Sequence, residues 1–224
     1  MKKIGVILTF LVFSIAMFAQ DSAAELKNAG NEALRNKNYA EAVAKYEAYF
    51  ATNEEGVADD NMTLYNLANS ALKAKDFAKA EKYFNQCVAK DYKPDLSLYY
   101  ISKIYSEKGN EAKEIETLEK VLTNYPNSKY YSKFRDYVAK YYNIQAQDPY
   151  NKANEIAVTA AGSGDAGIYL SKMKDALVLW DKAKTGFEKT LEIDPNNTIA
   201  KSAISNMNDQ IKAYETYKAS LPKK

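Results

Sequence analysis

The groups that could do chemistry in this chain are carboxylates, hydroxyls and one thiol, because its 224 residues include no histidine. Without histidine the chain lacks the commonest general base, the Ser-His and Cys-His nucleophile pairs and most zinc sites. Two carboxylate pairs, Glu54/Glu55 and Asp59/Asp60, share one polar loop, which favours solvated side chains over an acid/base pair. Their spacing also differs from that of a known calcium loop. The sequence therefore predicts a protein that is not an enzyme and has no cofactor or metal site.

Two further features have little chemical potential. Cys87 is the single cysteine, so no intramolecular disulfide can form, and its position in a helical pattern favours a buried structural thiol. Gly162-Ser163-Gly164 precedes a helical segment, as a phosphate-binding loop does. It lacks the lysine and the preceding strand of such loops, so a plain linker is favoured.

Charge and composition limit the class of partner. The chain has 31 basic and 29 acidic residues. Lys2 and Lys3 belong to an N-terminal leader, so the remainder is near neutral, whereas nucleic-acid binders normally carry a marked basic excess. We therefore predict no nucleic-acid partner. Only 8 Gly and 5 Pro are present, and this scarcity of turn residues favours helices joined by short loops.

Residues 1–19 have the pattern of a secretory signal peptide. A basic head precedes an apolar run over 4–18, which is shorter than the roughly 20 residues that span a bilayer. Small residues at Ala16 and Ala19 are possible cleavage sites, and we favour cleavage after Ala19. The alternative is an uncleaved N-terminal anchor. No cysteine follows the apolar run directly, as one would in a lipoprotein. We expect an exported, periplasmic protein that is not inserted in a membrane after cleavage.

Three pairs of helix-like segments follow the leader and repeat the same residue types at the same offsets. The anchors of the second helices are Ala42, Ala80 and Glu114, separated by 38 and then 34 residues, and the acidic loop 52–60 lengthens the first step. Small residues at such positions let two helix backbones approach closely while aromatic side chains fill the space beside them. This period, with two helices per unit, is typical of a helical repeat array.

This part of the sequence resembles the tetratricopeptide-repeat (TPR) family. The residues that carry the resemblance are Leu26/Ala29/Gly30 with Ala42/Tyr46, Leu64/Leu67/Ala68 with Ala80/Phe84, and Leu98/Ile101/Tyr105 with Leu118/Pro126. Three residues depart from the family pattern: Tyr49 is large where the family is small, Glu54 replaces a loop proline, and Glu114 replaces a small residue, which would let the third hairpin splay.

The resemblance implies an all-α fold, a TPR-type right-handed α-solenoid of antiparallel helix hairpins with a C-terminal long-helix extension. Within residues 20–128, the three hairpins are expected at about 23–56, 61–93 and 95–128. Exported proteins of this kind are common in Bacteroidetes-like envelopes.

Residues 129–224 are predicted to be a divergent, TPR-like helical region. A tyrosine-rich helix is expected over 128–147, and a second helix from Pro149 to Ala161, because Asp148-Pro149 is typical of a helix start. Over 165–194 one long helix, weakened at Gly186, is favoured over a hairpin. A last amphipathic helix, to about Ser220, is expected to cap the end of the array.

The resemblance also implies a binding surface, because the first helix of each TPR hairpin lines the concave groove. The residues placed there are Lys27, Asn31, Arg35, Tyr65, Asn66, Asn69, Lys73, Tyr99, Lys103 and Glu107. Lys27, Asn31 and Asn66 match three of the five residues of the family's dicarboxylate clamp, but Leu96 and Tyr100 stand where the clamp needs cations. The groove is therefore expected to suit the backbone amides, or one carboxylate, of an extended peptide.

Two functions follow from these features. The first is an exported scaffold that binds a protein or an extended peptide of unknown identity through its concave face. The alternative is a structural spacer or subunit of an envelope assembly that docks through residues 128–224.

Overall fold

The computed structural model describes residues 21–222, and the predicted signal peptide with both cleavage sites lies outside them. The described residues form nine α-helices and one short 3-10 helix, Val57–Asp59, with no strand among them, which confirms the all-α class. The α-helices are α1 Ala23–Arg35, α2 Tyr39–Ala51, α3 Asn61–Lys73, α4 Phe77–Ala89, α5 Pro94–Glu107, α6 Glu111–Asn124, α7 Tyr131–Ala161, α8 Ala166–Ile193 and α9 Thr198–Ser220. Between residues 21 and 222, no helix is both long and apolar enough to cross a membrane.

The chain divides into two compact units, and the boundary between Tyr83 and Phe84 falls inside α4. In the first unit α1 packs against α2, and α2 packs against α3. Gly30 is buried on α1, where a Cβ atom would lie 2.6 Å from the ring of Tyr46. Tyr46 and Ala42 of α2 are fully buried. The small residues thus allow the close helix approach that the repeat pattern predicts.

A hydrogen-bonded cluster around Asp60 holds the loop between α2 and α3. Its Oδ2 accepts from Lys27 Nζ at 2.6 Å, from Tyr49 Oη at 2.9 Å and from Thr63 Oγ1 at 2.7 Å. Its Oδ1 accepts from the Thr63 amide at 3.1 Å and so caps the start of α3. Burial alone would raise the pKa of Asp60, but the hydrogen bonds from Lys27, Thr63 and Tyr49 outweigh it and lower the pKa to about 2.

The same loop explains two of the three departures from the family pattern. Tyr49, large where the family is small, is buried and reaches Asp60 with its hydroxyl. Glu54, in place of a proline, accepts a hydrogen bond from the Ala23 amide at the start of α1, at 3.0 Å. These two side chains therefore hold the longer loop against α1.

We expect Asp60→Asn to lower the free energy of unfolding of the first unit by about 2 kcal/mol at pH 7, because the variant loses the charge that Lys27 neutralises. The folded-state pKa of about 2 lies below the usual 3.8, so the wild-type contribution is present above about pH 4 and is lost as the pH falls towards 2. The wild type and Asp60→Asn should therefore converge in acid. Urea unfolding followed by far-UV circular dichroism at several pH values measures this difference.

Glu55→Gln is the matched control, because it removes one charge from an exposed position of the same loop. It should leave stability within about 0.5 kcal/mol of the wild type at every pH. A constant Asp60→Asn deficit from pH 7 to pH 2 would contradict the assigned role of the Asp60 carboxylate.

In the second unit the helices pack in chain order, α5 on α6, α6 on α7, α7 on α8 and α8 on α9. Glu114, the third departure, is 5% exposed on α6 and accepts a hydrogen bond from Tyr137 Oη of α7 at 3.0 Å. Because its carboxylate turns to α7, Glu114 is accommodated while α5 still packs along α6.

The prediction of two helices on either side of Asp148-Pro149 is wrong, because α7 continues through Pro149. A proline inside a helix removes one backbone hydrogen bond and costs about 3 kcal/mol. Contacts with α8 on both sides of it offset that cost: Ala146 meets Gly186, and the ring of Tyr150 lies 5.7 Å from that of Phe187. Packing against one continuous partner therefore keeps α7 in one piece.

The favoured single helix over 165–194 is confirmed as α8. At Gly186, α8 comes so close to α7 that a Cβ atom would lie 2.9 Å from Ala146 Cβ and 3.3 Å from the carbonyl oxygen of Tyr142. Six residues before Gly186 on α8, Trp180 is 1% exposed and donates its indole N–H to Asn154 Oδ1 at 3.0 Å. The glycine that weakens the helical pattern is thus the residue that permits the crossing.

Candidate binding surfaces

The predicted surface of the first unit lies on α1 and α3, and each of its residues is at least partly exposed. Tyr46 Oη donates to Asn31 Oδ1 at 2.8 Å, and the side chain of Asn66 lies near enough to the same hydroxyl to lower its pKa. Burial raises the pKa of Tyr46, so the hydroxyl keeps its proton at neutral pH. The buried phenol therefore orients Asn31 and lies beside Asn66, and the Nδ2 group of Asn31 has no partner among the described residues.

Two predicted residues of this surface are engaged within the fold. Lys27 pairs with Asp60, so its charge is already neutralised. Asn69 donates its Nδ2 group to the backbone oxygen of Tyr65 at 2.9 Å, within α3. The remaining cations, Arg35 and Lys73, are exposed and form no ion pair with a described residue.

In the second unit, Tyr99 and Lys103 lie at a cavity of about 110 Å³ between α5, α6 and α7. The residues that line it are Tyr99, Ser102, Lys103, Glu114, Leu118, Lys133, Phe134 and Tyr137. Lys103 Nζ is 5.9 Å and Lys133 Nζ 5.4 Å from the centre of the Tyr99 ring, which stacks on Phe134 at 5.1 Å. Glu107 is exposed and does not line this cavity.

Sequence reasoning did not include Glu114, Lys133 or Tyr137 among the binding residues. The repeat register ends before α7, so no family position assigned Lys133 or Tyr137 to a surface. The available signals were the tyrosine-rich composition of 128–147 and the glutamate at a position where the family has a small residue. These residues meet only because α7 packs against α6.

A second cavity, of about 410 Å³, lies between α7 and α9. Its lining residues are Gln147, Tyr150, Thr198, Ile199, Ser202, Ala203 and Asn206. Ile199 is 56% exposed, and Ile144, one turn before Gln147 on α7, is 58% exposed. This side of α9 therefore offers apolar surface that no described residue covers.

The thiol and two of the carboxylates considered for chemistry are occupied within the fold. Burial raises the pKa of the Cys87 thiol to about 11, so the thiol stays protonated at neutral pH. Within residues 21–222 no three His, Cys, Asp or Glu side chains are placed to hold a metal ion. Asp60 and Glu54, from the two carboxylate pairs of the loop, are engaged in structural hydrogen bonds.

Two overlapping segments of the chain, residues 27–94 and 65–129, match a family model described as tetratricopeptide repeat. Among curated proteins, the comparison found no match. The family match covers the first three helix pairs and supports tetratricopeptide repeats in this part of the chain.

Solved structures extend the similarity. A TPR repeats protein from Bacteroides fragilis NCTC 9343 is 25% identical, with a TM-score of 0.59 over 87% of this chain and 99% of that one. A tetratricopeptide repeat protein from Parabacteroides merdae ATCC 43184 is 16% identical, with a TM-score of 0.40 over 83% and 84%. The TPR2AB domain–pHSP90 complex of yeast Sti1 is 18% identical, with a TM-score of 0.40 over 87% and 86%. The first similarity supports an array of helix hairpins, and the two looser ones add nothing to it.

Proposed function

We propose that this chain, whose residues 27–129 match the tetratricopeptide-repeat family, is a non-catalytic scaffold that binds a protein or an extended peptide on the first helices of its hairpins. TPR arrays in general mediate protein–protein interaction through such surfaces. We also propose that the scaffold is exported to the periplasm. The support for export is the signal-peptide pattern of residues 1–19.

The observation that carries the binding proposal is the pair of asparagines beside Tyr46, one of which its hydroxyl holds by a hydrogen bond. An asparagine side chain has both a donor and an acceptor, and it can therefore pair with the backbone of an extended peptide. Because Tyr46 fixes Asn31 before a ligand arrives, less side-chain entropy is lost on binding. Arg35 and Lys73, exposed on the same two helices, supply positive charge beside them.

We expect Asn31→Ala/Asn66→Ala to weaken capture of the partner at least 10-fold, because both peptide-pairing groups are removed. Tyr46→Phe should have a smaller effect, since it keeps both asparagines but removes the hydroxyl that orients Asn31. Capture from the envelope fraction by the chain without its predicted signal peptide, quantified by mass spectrometry, is the measurement. Far-UV circular dichroism checks that each variant is folded.

Asn85→Ala/Asn208→Ala is the control, because it removes two exposed asparagines on α4 and α9, outside this surface. It should capture the partner as the wild type does. If Asn31→Ala/Asn66→Ala also captures normally, the surface on α1 and α3 is not the binding site.

A second candidate function is a spacer or subunit of an envelope assembly that docks through residues 128–224. It is supported by exposed apolar side chains on α7 and α8, Val158 at 74% and Val178 at 70% exposure. Crosslinks from a purified assembly that map to Val158 and Val178, and not to α1 or α3, would favour this function over the first.

A further inference from the structure

We propose that the exposed side of α7 and the cavities on its two flanks form one peptide groove. The α7 groove is defined by Lys103, Lys133, Tyr137, Ile144 and Ile199. Its occupant is an extended peptide in which an acidic side chain lies about five residues from a large apolar side chain. This inference rests on the proposed function, and it adds a site in the second unit together with the chemistry of the ligand.

The charged end of the groove is the cavity beside Tyr99. Lys103 and Lys133 both place their ammonium groups over this one ring, and neither forms an ion pair with a described residue. An acidic side chain that reaches both ammonium groups would form two charge-assisted hydrogen bonds. The two ammonium groups outnumber the single carboxylate of the cavity, Glu114, so the net charge favours an acidic ligand over a basic one.

Glu114 gives this end a second point of recognition. The residue is 5% exposed and lines the cavity, and the Tyr137 hydroxyl is the one described partner of its carboxylate. Buried carboxylates are normally paired or fully hydrogen-bonded. Glu114 can therefore accept a further hydrogen bond from a peptide amide while the acidic side chain of the ligand lies between the two lysines.

The apolar end is the cavity between α7 and α9. Ile199 is 56% exposed at its edge, and Tyr150 lies at its wall. Between the two cavities α7 exposes Tyr137 at 48% and Ile144 at 58%. Single exposed apolar residues are ordinary, but two on one side of a helix, each beside a cavity, suit a protein-binding surface.

The distance between the two ends fixes the spacing in the ligand. At 100° per residue, Lys133, Tyr137, Ile144 and Gln147 fall within about 80° of one another on α7. Tyr137 at one cavity and Gln147 at the other are about 15 Å apart along the helix axis at 1.5 Å per residue. An extended peptide advances about 3.3 Å per residue. It therefore needs about five residues to place one side chain in each cavity.

The test is selection of a phage-displayed random dodecapeptide library on the purified chain, followed by fluorescence anisotropy with the selected peptides. We expect binders in which an acidic and a large apolar residue are four to six positions apart, in either chain direction. Lys103→Met/Lys133→Met should weaken their binding at least 10-fold, and so should Ile144→Ser/Ile199→Ser. Replacing the acidic residue of the peptide by alanine should change the affinity of the Lys103→Met/Lys133→Met variant little, because this variant no longer has the lysines that the acidic residue pairs with.

Lys174→Met/Val178→Ser is the matched control, since it changes one exposed lysine and one exposed apolar residue of α8 outside the groove. It should bind as the wild type does. Binders without the acidic–apolar spacing, or binders that tolerate both groove variants, overturn the α7 groove. Binders lost only in Asn31→Ala/Asn66→Ala also overturn it but leave the proposed function intact. A library that yields no specific binder overturns both.

Discussion

Replacing Gly186 by leucine should destabilise the second unit by at least about 3 kcal/mol. A Cβ atom at this position would lie 2.9 Å from Ala146 Cβ and 3.3 Å from the backbone oxygen of Tyr142, so even the first atom of a side chain would force α7 and α8 apart. Overpacking of a core commonly costs 1–3 kcal/mol. The gain of about 1 kcal/mol in helix propensity over glycine is smaller than this cost, and the remaining three carbons of leucine add to the clash.

Urea unfolding measures this effect, and the single tryptophan gives a local signal because Trp180 lies in the core of the same helix pair. Thr185→Leu is the matched control, since it adds a leucine at the adjacent, exposed position of α8. It should change stability by less than about 0.5 kcal/mol. Equal stability of the Gly186→Leu and Thr185→Leu variants would show that α7 and α8 do not cross closely at this point.

Replacing Trp180 by alanine should destabilise the second unit by about 3–5 kcal/mol. Its side chain is the largest of those that are fully buried. Truncating such a residue loses the free energy of burying its apolar atoms and also leaves a cavity, which adds to the cost. The change also removes the hydrogen bond to Asn154. Far-UV circular dichroism follows the unfolding, because the variant has no tryptophan signal.

Two further substitutions separate the loss of buried apolar volume from the loss of the indole hydrogen bond. Trp180→Phe keeps most of the apolar volume but loses the indole N–H, so it should cost about 1–2 kcal/mol. Val178→Ala, two residues earlier on the exposed side, should be nearly neutral, because Val178 is 70% exposed. A loss of less than about 1 kcal/mol in Trp180→Ala would contradict a core centred on this residue.

The sequence predicted the local structure well wherever the interacting residues are close in the chain. Gly30 in the first helix and Ala42 in the second indicated a pair of closely packed helices, and both residues are buried as expected. The single helix over 165–194 was also predicted correctly. At Pro149 the same local reasoning failed, because a proline after an aspartate is typical of a helix start and nothing nearby in the chain shows that α8 packs along both sides of it.

For the binding surface, too, the sequence predicted some features and missed others. Repeat register placed Asn31 and Asn66 on one surface, since the first helices of successive repeats lie side by side. It could not show that the Tyr46 hydroxyl holds Asn31, nor that Lys27 is already paired with Asp60. The side chains at Tyr99 come from three helices, and α7 has no repeat register to place it.

The helical class, the repeat period and the lack of histidine chemistry could all be predicted from the sequence, because these depend on residue type and on spacing along one chain. Tertiary structure decided which polar groups are spent within the fold and which remain for a ligand. It also decided that α7 is continuous and that two lysines from different helices share one aromatic ring. Such features depend on distances between residues far apart in the chain, and helix packing sets those distances.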